Sequence, residues 1–202
     1  KIILASRSPA RRQILKDAGL KIGVAYADID ESRLPHESAP RYAIRVAYAK
    51  TKKIATKFSR NPPSPRGREL EGGGRLPIII GVDTVIAIGS HILGKPKNIV
   101  QARAYLKKLS GRWHKVYSGV AVIDAGTGRT LKKLVVSRVK FVRLTPVQIN
   151  WYIKTGEPMH VAGAYSIQGK GRSLIESVDG CLTNIIGISI PVLMKMLKAL
   201  GS

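Results

Sequence analysis

The sequence predicts an α/β protein, or an α+β variant, built on a mixed sheet. Apolar strand-like runs alternate with stretches of helical period from the first residues onward, a long hairpin interrupts that alternation, and a helical period closes the chain. With 202 residues, 44% of them hydrophobic and 23% charged, the chain has enough material for one domain over 1–202, or two small lobes sharing a core.

The opening "KIILAS" reads as a strand, "SRSP" as a turn, and "ARRQILKDAGL" as a helix, with Ile14, Leu15 and Ala18 on one face and Gly19 closing it. Ser6, Arg7, Ser8, Arg11 and Arg12 gather where that helix begins, and free backbone N–H groups together with the helix dipole favour an anion there. "KIGVAYADID" is expected as a second strand running into the tightest group of acids, Asp28, Asp30 and Glu31. "APRYAIRVAYAKTKKIATKF" has a helical period that places Ala43, Val46, Ala47 and Ile54 inward and Lys50, Lys52, Lys53 and Lys57 largely outward.

Ser59 to Pro77 is rich in Pro, Gly and Arg and lacks apolar periodicity, so it is read as a mobile loop. Its glycines make no P-loop, since no G-K-[ST] follows, and "LGKP" is not one either. "LPIIIGVDTVIAIG" reads as two short buried strand segments with Asp83 between them. A buried carboxylate without a partner costs several kcal/mol, so Asp83 needs a counter-charge or an exit to solvent.

Next come a helix over "NIVQARAYLKKLSG" ended by Gly111, and a hairpin from "HKVYSG" to "KFVRL" that turns at "DAGTGR". "TPVQINWYIKTG" is a helix with Thr145 as N-cap and Pro146 at its first position. "AGAYSIQGKGRSLIESVDG" is a glycine-rich turn and strand, and the last helix lies near "IPVLMKMLKAL".

Composition narrows the function. No apolar run approaches the ~20 residues needed to span a bilayer, and the first residues lack a secretory core, so a cytoplasmic protein without a membrane span is expected. A single cysteine, Cys181, excludes an internal disulfide, and His36, His91, His114 and His160 lack zinc-ligand spacing; His114 is expected to be a packed residue. Any metal would then be a hard cation held by oxygen. The formal charge of +23 attracts nucleic acid, nucleotides or anionic lipid without selecting among them. Non-specific nucleic-acid affinity is therefore an expected secondary property, although 5% aromatic residues leave few stacking platforms. Arg11, Glu31, Lys50, Asp83 and Lys95 of "GKP" share a chemical character: bases that neutralise phosphates and acids that hold a divalent cation, as phosphoanhydride hydrolysis requires.

"LASRSPARRQIL", "GVDTVIAIGSHILGKP", "LSGRWHKVYSGV", "YIKTGEPMHVAGAYSIQGKG" and "TNIIGI" stand in the order, and at nearly the distances, of the Maf family of nucleoside triphosphate pyrophosphatases, which the chain resembles over almost its whole length. The main part outside the resemblance is Ser59 to Pro77, which looks like a flexible insertion before the strand that carries Asp83. The resemblance implies a two-lobed α/β fold related to the inosine triphosphate pyrophosphatases, a nucleotide cleft between the lobes, and a homodimer. It also implies cleavage of a nucleoside triphosphate to the monophosphate and pyrophosphate with Mg²⁺ or Mn²⁺. On that resemblance Asp83 is the catalytic carboxylate and general base, set at a strand end facing the cleft. Glu31 joins it in placing the metal, Ser8 and Arg11 bind phosphate, and Lys50 and Lys95 neutralise developing charge.

The family has a dTTP/UTP branch and a 7-methyl-GTP branch, and the positions resembling specificity determinants are Ala10, Thr84 and Gln168. Thr84 and Gln168 look like the dTTP/UTP branch. Ala10 departs from both, as do His160 and Val161 in "MHVAG" and the sequence "GIS". The competing readings are a basic nucleic-acid-binding protein and a cell-division regulator, the latter suggested by the family's historical name of septum formation inhibitor.

Overall fold

The computed structural model describes residues 1–59 and 76–201. Strand β1 (Ile2–Ala5) leads through helix α1 (Pro9–Asp17) to β2 (Ile22–Ala25), and helix α2 (Ala39–Ser59) precedes the long strand β3 (Ile78–Ile88). Then come β4 (His91–Leu93), α3 (Ile99–Leu109), the hairpin β5 (Trp113–Asp124) and β6 (Thr130–Phe141), and α4 (Pro146–Lys154). Three short 3₁₀ segments lead to β7 (Ile175–Asp179), α5 (Leu182–Ile186) and α6 (Ile190–Ala199).

One seven-stranded sheet runs in the order β2-β1-β3-β5-β6-β7, with β4 against β3. The pairs of β1 with β2 and with β3 are parallel, and all the others are antiparallel, which makes the sheet mixed as expected. Local chemistry sets the helix starts. Ser8 Oγ accepts the Arg11 N–H with Pro9 at the first position, and Thr145 with Gln148 forms a capping box ahead of α4.

Two expectations are corrected. "LPIIIGVDTVIAIG" is not two segments: β3 is one continuous strand of 11 residues, and Asp83 stands in its middle rather than at its end. The reason is that β5 pairs with β3 without a break from Ile78 to Ala87, including Asp83 opposite Gly119, so the backbone is satisfied on that side. The interruption falls on the other edge instead. There β1 pairs with Ile78, Ile79 and Ile80, β4 pairs with Ile86, Ala87 and Ile88, and among the described residues no strand pairs with 81–85. The second correction concerns the lysines of α2: Lys52, Lys53 and Lys57 are exposed, but Lys50 turns toward β3. The expected insertion at Ser59 to Pro77 lies, apart from its ends, outside the described residues.

The core forms on both faces of the sheet. Ala43, Val46, Ala47 and Ile54 of α2 are fully buried over β3 and β5, while Leu15, Ile188 and Leu193 pack with Leu4, Val82 and Val120 in another cluster. Small residues decide how near α2 can come. A Cβ on Gly81 would fall 2.1 Å from Thr51 Oγ1, and one on Gly119 would fall 2.2 Å from the Ala43 carbonyl oxygen. Both glycines therefore let the helix backbone rest on the sheet. In the cluster around Phe141 and Tyr152, His114 Nε2 lies 2.7 Å from the Tyr165 hydroxyl, and burial lowers the imidazole pKa to about 4, as suits a packed neutral histidine.

Substitution Gly119→Ala is expected to destabilise the fold by about 1–3 kcal/mol, because the new methyl meets helix backbone that cannot rotate away. Urea denaturation measures this, and a midpoint equal to that of the unsubstituted protein would show that α2 shifts freely.

Candidate active site

The edge of β3 that no described strand covers at 81–85 opens into a cleft of about 860 Å³. Its walls come from the turn before α1, the acidic loop after β2, Lys50 of α2, Asp83 and Thr84 of β3, the turn after β4, the 3₁₀ segments near His160 and Gln168, and Gly187. Because successive strand residues point to opposite faces, Asp83 and Thr84 serve different walls.

Asp83 shares its face with Gly81, beneath α2. It is 8% exposed, and Lys50 Nζ donates to its Oδ1 at 2.9 Å and to Glu31 Oε2 at 2.7 Å. Lys50 can reach both because it lies one turn beyond Val46 and Ala47, which the glycines allow to sit against the sheet. Burial raises the Asp83 pKa; Lys50 and Arg11 oppose that rise, and Glu31 reinforces it. The acidic loop is itself tied to α2. Tyr42 Oη donates to the Glu31 carbonyl at 2.8 Å, Arg45 Nη2 donates to the Ser32 carbonyl at 2.8 Å, and Arg45 grips Glu37 through Nε at 2.6 Å and Nη2 at 2.8 Å. Burial, with Asp83 and Glu31 nearby, pushes the Tyr42 phenol up to about 12.

On the other face, Arg11 Nε donates to the Gly187 carbonyl at 3.0 Å, Nη1 to Ser6 Oγ at 3.2 Å and Nη2 to Thr84 Oγ1 at 3.0 Å. Burial lowers the pKa of this guanidinium, and Asp83 and Glu31 work against that. Ser8 lines the cleft while its oxygen caps α1. Lys95 and Gln168 are exposed and line the cleft, as does Ala10, a methyl that offers no polar atom. The structure therefore brings Ser8, Ala10, Arg11, Glu31, Lys50, Asp83, Thr84, Lys95 and Gln168 to one cleft, whereas Arg12 and Asp30 do not line it. Lys50 is in direct contact with both Asp83 and Glu31, Arg11 bonds Thr84, and among the described residues no side-chain hydrogen bond joins Lys95 or Gln168 to these.

Several contributors escaped sequence reasoning. Ser118 Oγ lies 2.9 Å from Thr84 Oγ1, and Gly187 accepts from both Arg11 and Thr84. Glu157 fixes the turn that carries Gln168: its Oε1 accepts from Tyr152 Oη at 2.6 Å and from the Gly171 N–H at 3.0 Å, and its Oε2 accepts from the Lys170 N–H at 2.8 Å. A Cβ at Gly169 would fall 2.2 Å from Glu157 Oε2. These residues lie within the quoted stretches "YSGV", "TNIIGI" and "TGEP", yet only the cross-strand register and loop closure show what they touch.

Among the described residues no group of three or more His, Cys, Asp or Glu side chains could hold a metal by itself. Glu31 and Asp83 nevertheless converge on one ammonium, and two carboxylates sharing a cation with substrate phosphates is how Mg²⁺ is commonly held. The donor set fits such a shared ion and not an all-protein cage. No helix among the described residues is long and apolar enough to cross a membrane.

Fold and site together define a mixed-sheet α/β protein whose cleft sets cations against two carboxylates at an interrupted sheet edge. The chain belongs to the Maf-like protein family, whose model matches residues 1–200. A dTTP/UTP pyrophosphatase of Acetivibrio thermocellus is 38% identical over 201 residues, spanning 100% of this chain and 96% of that protein. A dTTP/UTP pyrophosphatase of Clostridium botulinum (strain 657 / Type Ba4) is 36% identical over 201 residues, 99% of this chain and 97% of that protein. A nucleoside triphosphate pyrophosphatase of a Synechococcus species is 35% identical over 200 residues, 99% of this chain and 94% of that protein.

A carboxyl pKa raised on folding means that the folded state holds the proton more tightly than the unfolded chain. Asp83 then contributes most favourably below the ordinary carboxylate range, and that contribution is lost as pH rises through its folded pKa. Asp83→Asn is expected to raise the thermal midpoint near pH 7, with the gain shrinking as pH falls toward roughly 3. A lower midpoint at pH 7 would mean that the Lys50 pair outweighs desolvation.

Proposed function

We propose that the protein is a nucleoside triphosphate pyrophosphatase that hydrolyses dTTP and UTP to the nucleoside monophosphate and pyrophosphate. The observation that carries this reading is the Lys50 bridge between Asp83 and Glu31, set in the same cleft as Arg11 and the start of α1. The activities for which the relatives are named agree with it.

The triphosphate lies along the α1 start, where backbone N–H groups, Ser8, Arg11 and Lys95 meet its negative charge. Water adds to a phosphorus of the α–β anhydride, its proton passes to an Asp83 oxygen, and the bond to the bridging oxygen breaks to release pyrophosphate. Burial makes the Asp83 carboxylate a stronger base than a free one, while the contact with Lys50 opposes that rise and aims the carboxylate. Glu31 and Asp83 would hold a divalent cation, Mg²⁺ or Mn²⁺, which would supply Lewis-acid neutralisation of the phosphate charge. Gln168, exposed at the cleft, offers an amide that both donates and accepts, as a pyrimidine edge requires.

The test is pyrophosphate release with Mg²⁺ or Mn²⁺ from dTTP, UTP, CTP, 7-methyl-GTP and inosine triphosphate. Turnover is expected to be highest with dTTP and UTP and to fall by about 100-fold or more in Asp83→Asn. Release of orthophosphate in place of pyrophosphate, or full activity in the variant, would sink the mechanism. A preference for 7-methyl-GTP would move the chain to the other branch of the family.

A further inference from the structure

Thr84 is the cleft residue whose hydrogen-bonding capacity is already spent within the protein. A hydroxyl has one proton to give and two lone pairs to receive with. The Gly187 carbonyl, 3.0 Å away, can only accept, so Thr84 gives its proton there. Arg11 Nη2, 3.0 Å away, can only donate and takes one lone pair; Ser118 Oγ has one proton between Thr84 Oγ1 at 2.9 Å and the Asn184 carbonyl at 3.4 Å, and with the Thr84 proton committed to Gly187 the shorter contact is made by Ser118 donating into the other. No capacity is left with which Thr84 could recognise the edge of a base.

Arg11 is held from three directions, by Gly187, Ser6 and Thr84, which occupy three of its five N–H groups. Thr84 and the Gly187 carbonyl close a small ring with it, since each bonds the other as well as the guanidinium. Gly187 is specialised for this. Its φ of +150° disfavours a side chain, and a Cβ there would press within 3.2 Å of Arg11 Cγ. Behind the ring, Ser118 and Thr84 are opposed residues of β5 and β3, so the anchor belongs to the sheet and not to a loop.

We infer that Thr84 is a positioning residue that fixes Arg11 for phosphate binding, and that it does not read the base. This deepens the proposed function and rests on Arg11 meeting the phosphates. Selectivity among bases then falls to other parts of the cleft, and exchange at position 84 alters the catalysis of all triphosphates alike.

The experiment compares Thr84→Val, which keeps the shape and loses the hydroxyl, with Thr84→Ser, which keeps the hydroxyl. Each is made alone and in an Arg11→Ala background. Loss of a hydrogen bond to a charged group predicts that Thr84→Val lowers kcat/KM roughly tenfold or more, by one common factor for dTTP, UTP and CTP, and that Thr84→Ser restores it to about twofold of the original. In the Arg11→Ala background Thr84→Val is expected to add little, whereas general damage to the sheet would lower activity by the same factor again.

Affinity for inorganic tripolyphosphate, measured by calorimetry, supplies a readout independent of turnover and is expected to fall in Thr84→Val and not in Thr84→Ser. A change confined to one base, additive effects of the two substitutions, or unchanged tripolyphosphate affinity overturns the inference, as does failure of the unsubstituted protein to bind tripolyphosphate. If that protein binds tripolyphosphate in a Thr84-dependent way yet cleaves no nucleotide, the pyrophosphatase reading falls and the positioning role stands.

Discussion

A carboxylate in the middle of the most apolar strand is tolerated because an ammonium reaches it. Asp83 is desolvated enough that its pKa rises even with Lys50 Nζ 2.9 Å away, so the pair does not simply cancel the cost of burial. The geometry that makes the pair needs α2 to lie with its backbone against β3 and β5. This in turn requires that no side chain stand at Gly81 or Gly119, the latter directly across the ladder from Asp83. Helix packing, strand composition and the charge pair are thus one constraint. A side chain at either glycine would lift the helix and strand the charge together.

The same strand organises both walls of the cleft. Side-chain alternation sends Asp83 toward α2 and Thr84 toward α1 and Gly187, so adjacent residues hold an acid–lysine pair on one face and the Arg11 anchor on the other. Access to both comes from the edge of β3 that β1 leaves after Ile80 and β4 does not rejoin before Ile86. A gap in a sheet would ordinarily expose unpaired backbone. Here it lies beside a helix N-terminus and several cations, where a polyanionic ligand finds donors already in place.

Local signals made much of this legible. The apolar periods placed α1, α2, α3 and α6, the hairpin announced itself by alternation around "DAGTGR", and Thr145-Pro146 marked the start of α4 through capping chemistry that acts within a few residues. The β4 strand and α5 are too short, at 3 and 5 residues, to show a period. The Asp83 run reads as two segments because a charge within a hydrophobic stretch looks like a boundary, and only the unbroken pairing with β5 shows that the backbone continues through it. Lys50 sits among outward lysines, and helical period by itself cannot tell which of them has an acid within reach. The residue types of the candidate site were likewise visible, but Ser118 beside Thr84 is a matter of strand register, and Glu157 under the Gln168 turn is a matter of loop closure. Those are long-range facts that no local pattern encodes.

The net charge of +23 acts on a different scale from the site. Exposed lysines such as Lys52, Lys53 and Lys57 attract any polyanion over a distance that salt shortens to about 8–10 Å at physiological ionic strength, and they do so without distinguishing one anion from another. Discrimination has to come from groups held in one geometry at contact range. The few acids of the chain are spent on this: Asp83 and Glu31 orient Lys50, Glu37 holds Arg45 and with it the acidic loop, and Glu157 ties down the turn bearing Gln168. In a chain with 12 acids against 35 basic residues, each of these carboxylates fixes a neighbour rather than balancing the surface charge. The excess of cations draws the ligand in, and the scarce anions decide how it is met.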